Sequence, residues 1–193
     1  FPACLIITNE KNLGFPQTVN KAVTFTAGDF VLLNTDTEVP IGWLDRLITP
    51  IIKDRSIAST TPFTNSGTIC SFPEFCKDNA IYMGLSVGEL DSEFRNISPI
   101  APLINIPTGV GFCMAFNGDA VRSLGMFDAE AYGRGYAEEN DWCMRATAAG
   151  YKHLLVTNLF VFHKHGGSFT SDEKKSLIEK NLSTLLLRYP TYH

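Results

Sequence analysis

An apolar run that ends abruptly in polar residues constrains this chain most. Residues 30–33 read Phe-Val-Leu-Leu. The polar residues Asn34, Asp36 and Glu38 come directly after them. A continuous apolar run is typical of a strand buried on both faces, as in the parallel sheets of α/β proteins. Because ligands bind beyond the carboxyl ends of such strands, a carboxylate at this place can hold a divalent cation against phosphate oxygens.

Strand and helix patterns alternate along the chain, and this alternation predicts an α/β fold. The 193 residues fit one domain, 1–193, that can bury a sizeable core. Residues 62–106 show no clear periodicity and are predicted to be irregular, as a candidate acceptor loop. The predicted strands cover residues 4–8, 29–34, 56–60, 109–116, 151–156 and 160–163, and the predicted helices cover 16–27, 43–53, 119–124, 138–149 and 171–188.

Composition excludes several classes of function. The net charge is −4 and no cluster of Lys or Arg marks a track for a polyanion, so nucleic acid is not an expected partner. The longest apolar stretch, 154–162, is shorter than the roughly 20 residues that span a bilayer, so we expect no transmembrane segment. The chain begins at Phe1 without an initiator Met, and we expect a piece of a longer protein.

The five cysteines are odd in number, which favours free thiols in a reducing compartment. The alternative is a disulfide between Cys70 and Cys76, whose spacing matches no zinc pattern. The expected location is therefore the cytoplasm or the cytoplasmic face of a membrane.

Acidic residues crowd the start of the helix predicted at 138–149. Glu138 and Asp141 are three residues apart and share a helix face, whereas Glu139 projects about 100° round the axis. Crowded carboxylates raise the pKa of one another, and this suits a general base that works near neutral pH. The alternative is structural, because acidic side chains in a first turn stabilise a helix by about 0.3–1 kcal/mol each.

Two further groups of residues could contact a ligand. His163 and His165 lie two apart at a strand end and point the same way, and imidazole would favour Mn²⁺ over Mg²⁺. Asn12, Gly14 and Asn20 surround the start of a helix, where an anion or a sugar edge can bind. The alternatives are a solvated surface for the histidines and helix capping for the asparagines. For Asp36 the alternative is an Asx-turn that closes the strand.

The order of these motifs resembles that of family 2 inverting glycosyltransferases, most strongly bacterial rhamnosyl- and O-antigen-type members. The resemblance covers nearly the whole chain. It implies the glycosyltransferase A fold, with a Rossmann-like, mostly parallel sheet flanked by helices, here without the N-terminal nucleotide-binding strands. The matching blocks are residues 12–15 with Asn20, 32–39 with 42–44, 125–128, 138–141 with Arg145, and 161–163 with Ser168.

The resemblance also implies roles for individual residues. Glu139 takes the place of the catalytic base, where Asp is commoner in the family. Asp36 and His163 take the place of the ligands of a divalent metal, Mn²⁺ or Mg²⁺. The residues implied near the nucleotide-sugar are Asn12, Gly14, Asn20, Asn34, Gly109 and Gly111, and those implied on the acceptor side are Glu138, Asp141 and Trp142.

The function implied is metal-dependent, inverting transfer of a sugar from a nucleotide-sugar donor to a hydroxyl of a glycan or lipid-linked acceptor, in cell-surface polysaccharide synthesis. Asn34 replaces the first aspartate of the family's paired motif. An upstream domain of the same protein is an expected partner, because the family's opening strands bind the nucleotide. The alternative is a non-catalytic carbohydrate- or nucleotide-binding scaffold module with the same fold.

Overall fold

The computed structural model describes residues 4–97, 103–164 and 171–192. Short 3₁₀ turns occupy Thr68–Cys70 and Tyr82–Gly84. The helices are α1 Phe15–Val23, α2 Trp43–Lys53, α3 Val87–Ile97, α4 Gly118–Leu124, α5 Ala129–Tyr132, α6 Glu138–Ala148 and α7 Ser171–Arg188. The strands are β1 Phe30–Leu33, β2 Thr37–Glu38, β3 Ile57–Phe63, β4 Leu103–Ile106, β5 Cys113–Phe116, β6 Lys152–Phe160 and β7 Phe162–His163.

A five-stranded sheet in the order β1-β5-β3-β6-β4 forms the centre of the fold. Strands β3 and β6 pair in parallel, whereas β5 is antiparallel to both β1 and β3, and β4 is antiparallel to β6. The predicted α/β class is confirmed. The prediction of a mostly parallel sheet is wrong, because three of the four pairings between the described strands of this sheet are antiparallel. Strands β1, β3 and β6 nevertheless run in one direction, so their carboxyl ends meet at one edge of the sheet.

Helices cover both faces of this sheet. Met114 and Phe116 of β5 pack with Trp142 of α6 on one face, in a cluster that also includes residues of α1 and α4. Their neighbours Cys113 and Ala115 point to the opposite face, where they pack with Leu47 and Ile51 of α2. This alternation is the period of a strand, and it places the core in two layers around β5.

Strand β1 lies at an edge of the sheet among the described strands, and this corrects the prediction that it is buried on both faces. Leu33 is 41% exposed, and the other three residues of β1 are half-buried. The strand predicted at residues 4–8 was wrong, because these residues form no strand and Leu5 and Ile6 are 67% and 83% exposed. An apolar run shows that burial is favourable, but it does not show whether a neighbouring strand is present.

The segment 62–106 is more regular than predicted, since it contains α3 and β4. Ser86 and Glu89 form a capping box at the start of α3, in which Ser86 N–H donates to Glu89 Oε2 at 2.8 Å. Asp91, 1% exposed, accepts hydrogen bonds from Arg46 and Arg95 and fastens α3 to α2. The Ser-x-x-Glu spacing is the sequence signal that identifies this helix.

The other predicted elements agree more closely with the structure. Helix α2 has the predicted bounds, and α6 and α7 begin and end within one residue of theirs. The two strands predicted at 151–156 and 160–163 are instead a long β6 followed by β7. Cys4 and Cys76 are exposed, whereas the other three cysteines are buried. Among the described helices, none combines the length and apolar character that crossing a bilayer requires.

Candidate active site

A two-stranded sheet brings Asp36 beside His163. Strand β2 follows the carboxyl end of β1, and β7 follows that of β6, and the two pair with Thr37 opposite His163. The amide of Lys164 donates to the carbonyl oxygen of Asp36 at 2.8 Å, which extends this pairing by one residue. As a result, His163 Nε2 lies 3.4 Å from Asp36 Oδ1. The two predicted metal ligands therefore face each other, as expected.

The imidazole of His163 is held in one orientation. Its Nδ1 lies 3.0 Å from the carbonyl oxygen of Ser66, and because a carbonyl only accepts, Nδ1 carries the hydrogen. The ring also stacks on Phe112, with 5.2 Å between ring centroids. Nε2 is therefore the ring nitrogen that faces Asp36.

The donor atoms at this place fit a divalent metal. A carboxylate oxygen and an imidazole nitrogen are donors that Mn²⁺ accepts, and an imidazole whose other nitrogen is bound to a carbonyl is oriented as a ligand. Within residues 4–97, 103–164 and 171–192, no group of three or more His, Cys, Asp or Glu side chains gathers as a fuller metal site. His165, Gly166, Gly167 and Ser168 lie outside the described residues.

The predicted base lies at the start of α6, where the backbone is strained. Tyr136 and Ala137 have φ angles of 71° and 69°, a left-handed conformation that non-glycine residues rarely adopt. Asn181 of α7 stabilises this turn, because its side-chain amide donates to the carbonyls of Gly135 and Tyr136 at 2.6 and 3.0 Å. Strain of this kind persists only where surrounding contacts impose it, and it is common at functional sites.

Glu138 and Glu139 form a pair of buried carboxyl groups. The backbone amide of Gly111 donates to the carboxylate of Glu139, and burial raises the pKa of Glu139. Burial also raises the pKa of Glu138 to about 9, with a further contribution from the charge of Glu139. The Oε2 atom of each residue is buried and has no hydrogen-bond partner among residues 4–97, 103–164 and 171–192. This pair therefore retains a proton to higher pH than ordinary carboxyl groups, which is the property expected of a base that works near neutral pH.

The segment before β5 connects the base to the metal ligands. Gly111 contacts Glu139, since a Cβ built at Gly111 lies 3.8 Å from Glu139 Oε1. The next residue, Phe112, stacks on His163, and its carbonyl accepts from the amide of Asn34 at 2.8 Å. Because β5 runs antiparallel to β1 and β3, this segment lies at the same edge as the carboxyl ends of those strands. The three distant segments predicted to form the site thus meet around Phe112.

The raised pKa of Glu138 leads to a prediction about stability. In the unfolded chain this carboxyl loses its proton near its ordinary pKa of 4.5, whereas the folded protein keeps it to about pH 9. The folded state therefore binds more protons between these values, and the free energy of unfolding falls as pH rises. We expect Glu138→Gln to remove this fall, which amounts to at most about 1.4 kcal/mol per pH unit. Urea denaturation at a series of pH values measures the free energy of unfolding and its change with pH.

The exposed Glu130 on α5 provides the control, because Glu130→Gln changes a carboxyl group that lies in solvent. That variant should keep the pH dependence of the unchanged protein. Equal pH dependence in Glu138→Gln and the unchanged protein contradicts the assignment of a buried, proton-holding Glu138.

Two residues predicted on the acceptor side are buried instead. Asp141 is 0% exposed, and its carboxylate accepts from Arg145 at 3.0 Å and from Arg188 of α7 at 2.9 Å. Trp142 is 0% exposed, and its Nε1 donates to the carbonyl of Gly125 at 2.9 Å. These contacts fasten α6 to its neighbours, and the burial argues against contact with an acceptor. Glu138 is 4% exposed, so its place beside Glu139 is its clearest connection to the site.

The residues predicted near the nucleotide have different surroundings. Both amide atoms of Asn20 bind the backbone of Phe127, at 2.8 and 3.1 Å, so this side chain holds α1 to the chain before α5. Asn12 Oδ1 accepts from the amide of Gly14 at 2.9 Å in an exposed turn before α1. Position 14 requires a glycine for two reasons. Its φ is 78°, and the Cα of Arg134 lies only 2.8 Å from a Cβ built there.

Gly109 and Asn34 have different surroundings. Gly109 is packed within the core, since a Cβ built there lies 2.6 Å from Met114 Cε. Asn34 is half-buried and follows β1 directly, two residues before Asp36. Nucleotide contact stays a prediction for Asn12, Gly14 and Asn34. At position 109, the close packing leaves no room for a side chain, and this explains the glycine.

Sequence reasoning missed two residues that contact His163. Ser66 binds its imidazole, and Asn65 binds its backbone. Both fall in the segment that the sequence predicted to be irregular. They follow the carboxyl end of β3, however, and the carboxyl ends of strands that run together are where ligand sites form. A correct prediction of strand β3 through Phe63 would have identified them.

Two solved structures resemble this fold. The crystal structure of GalNAc-T7 with UDP, GalNAc and Mn²⁺ matches with a TM-score of 0.59 and 18% identity, over 80% of this chain and 31% of that one. Glucosyl-3-phosphoglycerate synthase from Mycobacterium tuberculosis, in complex with phosphoglyceric acid, matches with a TM-score of 0.50 and 16% identity, over 91% of this chain and 55% of that one. Neither a protein-family model nor a curated protein sequence matches the chain.

These similarities confirm the glycosyltransferase A type of fold that the sequence predicted. The chain spans about a third of one of these proteins and about half of the other.

Proposed function

We propose that this chain carries the catalytic centre of a metal-dependent, inverting glycosyltransferase. It transfers a sugar from a nucleotide-sugar donor to a hydroxyl group of a glycan or lipid-linked acceptor. The observation that supports this proposal most is the facing pair of Asp36 and His163, connected through the adjacent residues Phe112 and Gly111 to the buried carboxylate of Glu139. The similarity to GalNAc-T7, a protein crystallised with UDP, GalNAc and Mn²⁺, supports it.

Asp36 and His163 hold the metal ion in this proposal. A carboxylate paired with an imidazole favours Mn²⁺ over Mg²⁺, because nitrogen is a softer donor than oxygen. Asp36 and His163 would hold the cation beside the departing diphosphate, where it would supply positive charge against the negative charge that develops. Ser66 and Phe112 keep the imidazole oriented, so that Nε2 stays directed at Asp36.

Glu139 removes the proton from the acceptor hydroxyl. The amide of Gly111 holds its carboxylate in place, and this carboxylate receives the proton. The acceptor oxygen then attacks the anomeric carbon from the face opposite the diphosphate. The new C–O bond forms as the bond to the diphosphate breaks, and the configuration inverts. Orientation of the two substrates supplies much of the acceleration in a reaction of this type.

Titration with nucleotides tests this proposal. We expect UDP, GDP or dTDP to bind in isothermal titration calorimetry at least about tenfold more tightly with Mn²⁺ than with EDTA, because the metal links the diphosphate to Asp36 and His163. The exposed Asp45 of α2 provides a matched control, since Asp45→Ala also removes one carboxylate and should bind as the unchanged protein does. Binding that does not depend on Mn²⁺ contradicts the metal-dependent transferase and favours a binding module with the same fold.

A further inference from the structure

The side chain of Asn65 pairs with the backbone of His163. Oδ1 accepts from the amide of His163 at 2.8 Å, and Nδ2 donates to the carbonyl of His163 at 3.0 Å. Asn65 is 4% exposed and follows the end of β3. Both polar backbone groups of His163 are therefore bound by one amide side chain.

A second contact fixes the orientation of this amide. Nδ2 of Asn65 also donates to the carbonyl of Asn79 at 3.1 Å. In return, the carbonyl of Asn65 accepts from the backbone amide of Asn79 at 2.9 Å and from its side chain at 3.0 Å. Rotation of the amide by 180° would direct its oxygen at two carbonyls and its nitrogen at an N–H group, so only the observed orientation satisfies every partner.

His163 needs this support because its own strand is short. Strand β7 contains Phe162 and His163, which pair with β2, and one further bond joins the amide of Lys164 to the carbonyl of Asp36. A two-stranded pairing of this length is at best marginally stable in water. Asn65 binds the backbone of His163, and the adjacent Ser66 binds its imidazole. Two consecutive residues thus fix both the position and the rotation of the ring.

We infer that Asn65 is a positioning residue of the metal site. It holds Nε2 of His163 towards Asp36, and in this way it affects the affinity for the metal ion. This inference rests on the proposed function, since it concerns the metal site of that reaction. Contacts that orient metal ligands typically change metal affinity by about 10–100-fold when they are removed. Asn65 itself offers the metal no contact, because its side-chain atoms are used by His163 and Asn79.

The experiment compares Mn²⁺ binding by the unchanged chain and by Asn65→Ala. Titration followed by the electron paramagnetic resonance signal of free Mn²⁺ gives the affinity, which we expect to fall about 10–100-fold. Pulsed measurements on the bound ion report the nitrogen of His163. We expect this nitrogen coupling to weaken or disappear in the variant, which a general loss of stability in a folded protein would not produce.

Asn117→Ala is the matched control. Asn117 is also buried and also binds backbone groups through its side-chain amide, since Oδ1 accepts from the amide of Asp119 at 2.9 Å and Nδ2 donates to the carbonyl of Ile57 at 3.0 Å. Its loss removes the same kind of contact outside the metal ligands, so Mn²⁺ affinity and the nitrogen coupling should stay as in the unchanged chain. If Asn65→Ala does not fold by circular dichroism, Asn65→Asp replaces it, since it keeps the acceptor for His163 N–H and loses the donor to His163 O.

The outcomes separate the inference from the proposed function. Unchanged affinity and unchanged nitrogen coupling in the folded Asn65 variant overturn the inference and leave the metal site intact. Failure of the unchanged chain to bind Mn²⁺ overturns the metal site, and with it the inference. A weaker affinity in Asn65→Ala and a normal affinity in Asn117→Ala support the positioning role.

Discussion

Replacement of Glu139 by glutamine lowers the rate of sugar transfer by about 10²–10⁴-fold, the range that a positioned general base contributes. Glutamine has nearly the same size as glutamate but cannot accept the proton of the acceptor hydroxyl. The fold should persist, because the substitution also removes the cost of burying a carboxylate whose Oε2 has no partner. Release of nucleoside diphosphate from UDP-, GDP- and dTDP-sugars measures the rate, and denaturant unfolding measures the stability.

The raised pKa of Glu139 adds a pH dependence to this expectation. A base must be unprotonated to accept a proton, and burial keeps Glu139 protonated to higher pH than an ordinary glutamate. The transfer rate of the unchanged protein should therefore fall on acidification from neutral pH, at values where an exposed glutamate is still ionised. Glu130→Gln, on the exposed side of α5, serves as the control and should leave both the rate and its pH dependence unchanged. Turnover close to that of the unchanged protein in Glu139→Gln would remove this residue from the mechanism.

Replacement of Asp36 by alanine should abolish both Mn²⁺ binding and transfer. The carboxylate of Asp36 faces His163 Nε2 at 3.4 Å. Its removal takes the carboxylate out of this pair, and we expect Mn²⁺ affinity and transfer rate each to fall by about 100-fold or more, the upper part of the range for a disrupted metal site. The side chain is 35% exposed, so the free energy of unfolding should change by less than about 1 kcal/mol.

Asp45→Ala provides the comparison for this variant, because it removes an exposed carboxylate from α2. It should bind Mn²⁺ and transfer sugar at the rates of the unchanged protein. Metal binding that survives in Asp36→Ala, or transfer that persists in EDTA, contradicts the role assigned to Asp36.

Local patterns predicted the parts of the fold that depend on local interactions. Helix α2 was predicted with its observed bounds, because apolar residues recur along one side of it and Leu47 and Ile51 are fully buried. Helix α6 followed from its acidic first turn and from Gly150 after its end. The same spacing placed Glu138 and Glu139 on different sides of the helix, and only Glu139 contacts Gly111.

The sequence could not predict features that depend on long-range pairing. The position of β1 at an edge, and of antiparallel β5 between β1 and β3, depends on strand order, which no local pattern records. Spacing along α6 predicted which side chains share a face, but not that Arg188 of α7 would cover Asp141. The support that Asn65 gives to His163 joins residues far apart in the chain, so it appears only when β3 and β7 lie side by side.

The most direct test of the site is a crystal structure of the chain soaked with Mn²⁺ and UDP, with anomalous diffraction data collected for manganese. The account predicts an anomalous peak between Asp36 Oδ1 and His163 Nε2, with the diphosphate beside it and the carboxylate of Glu139 facing the same cavity. A manganese peak elsewhere on the protein, with none between these two side chains while UDP is bound, would contradict it.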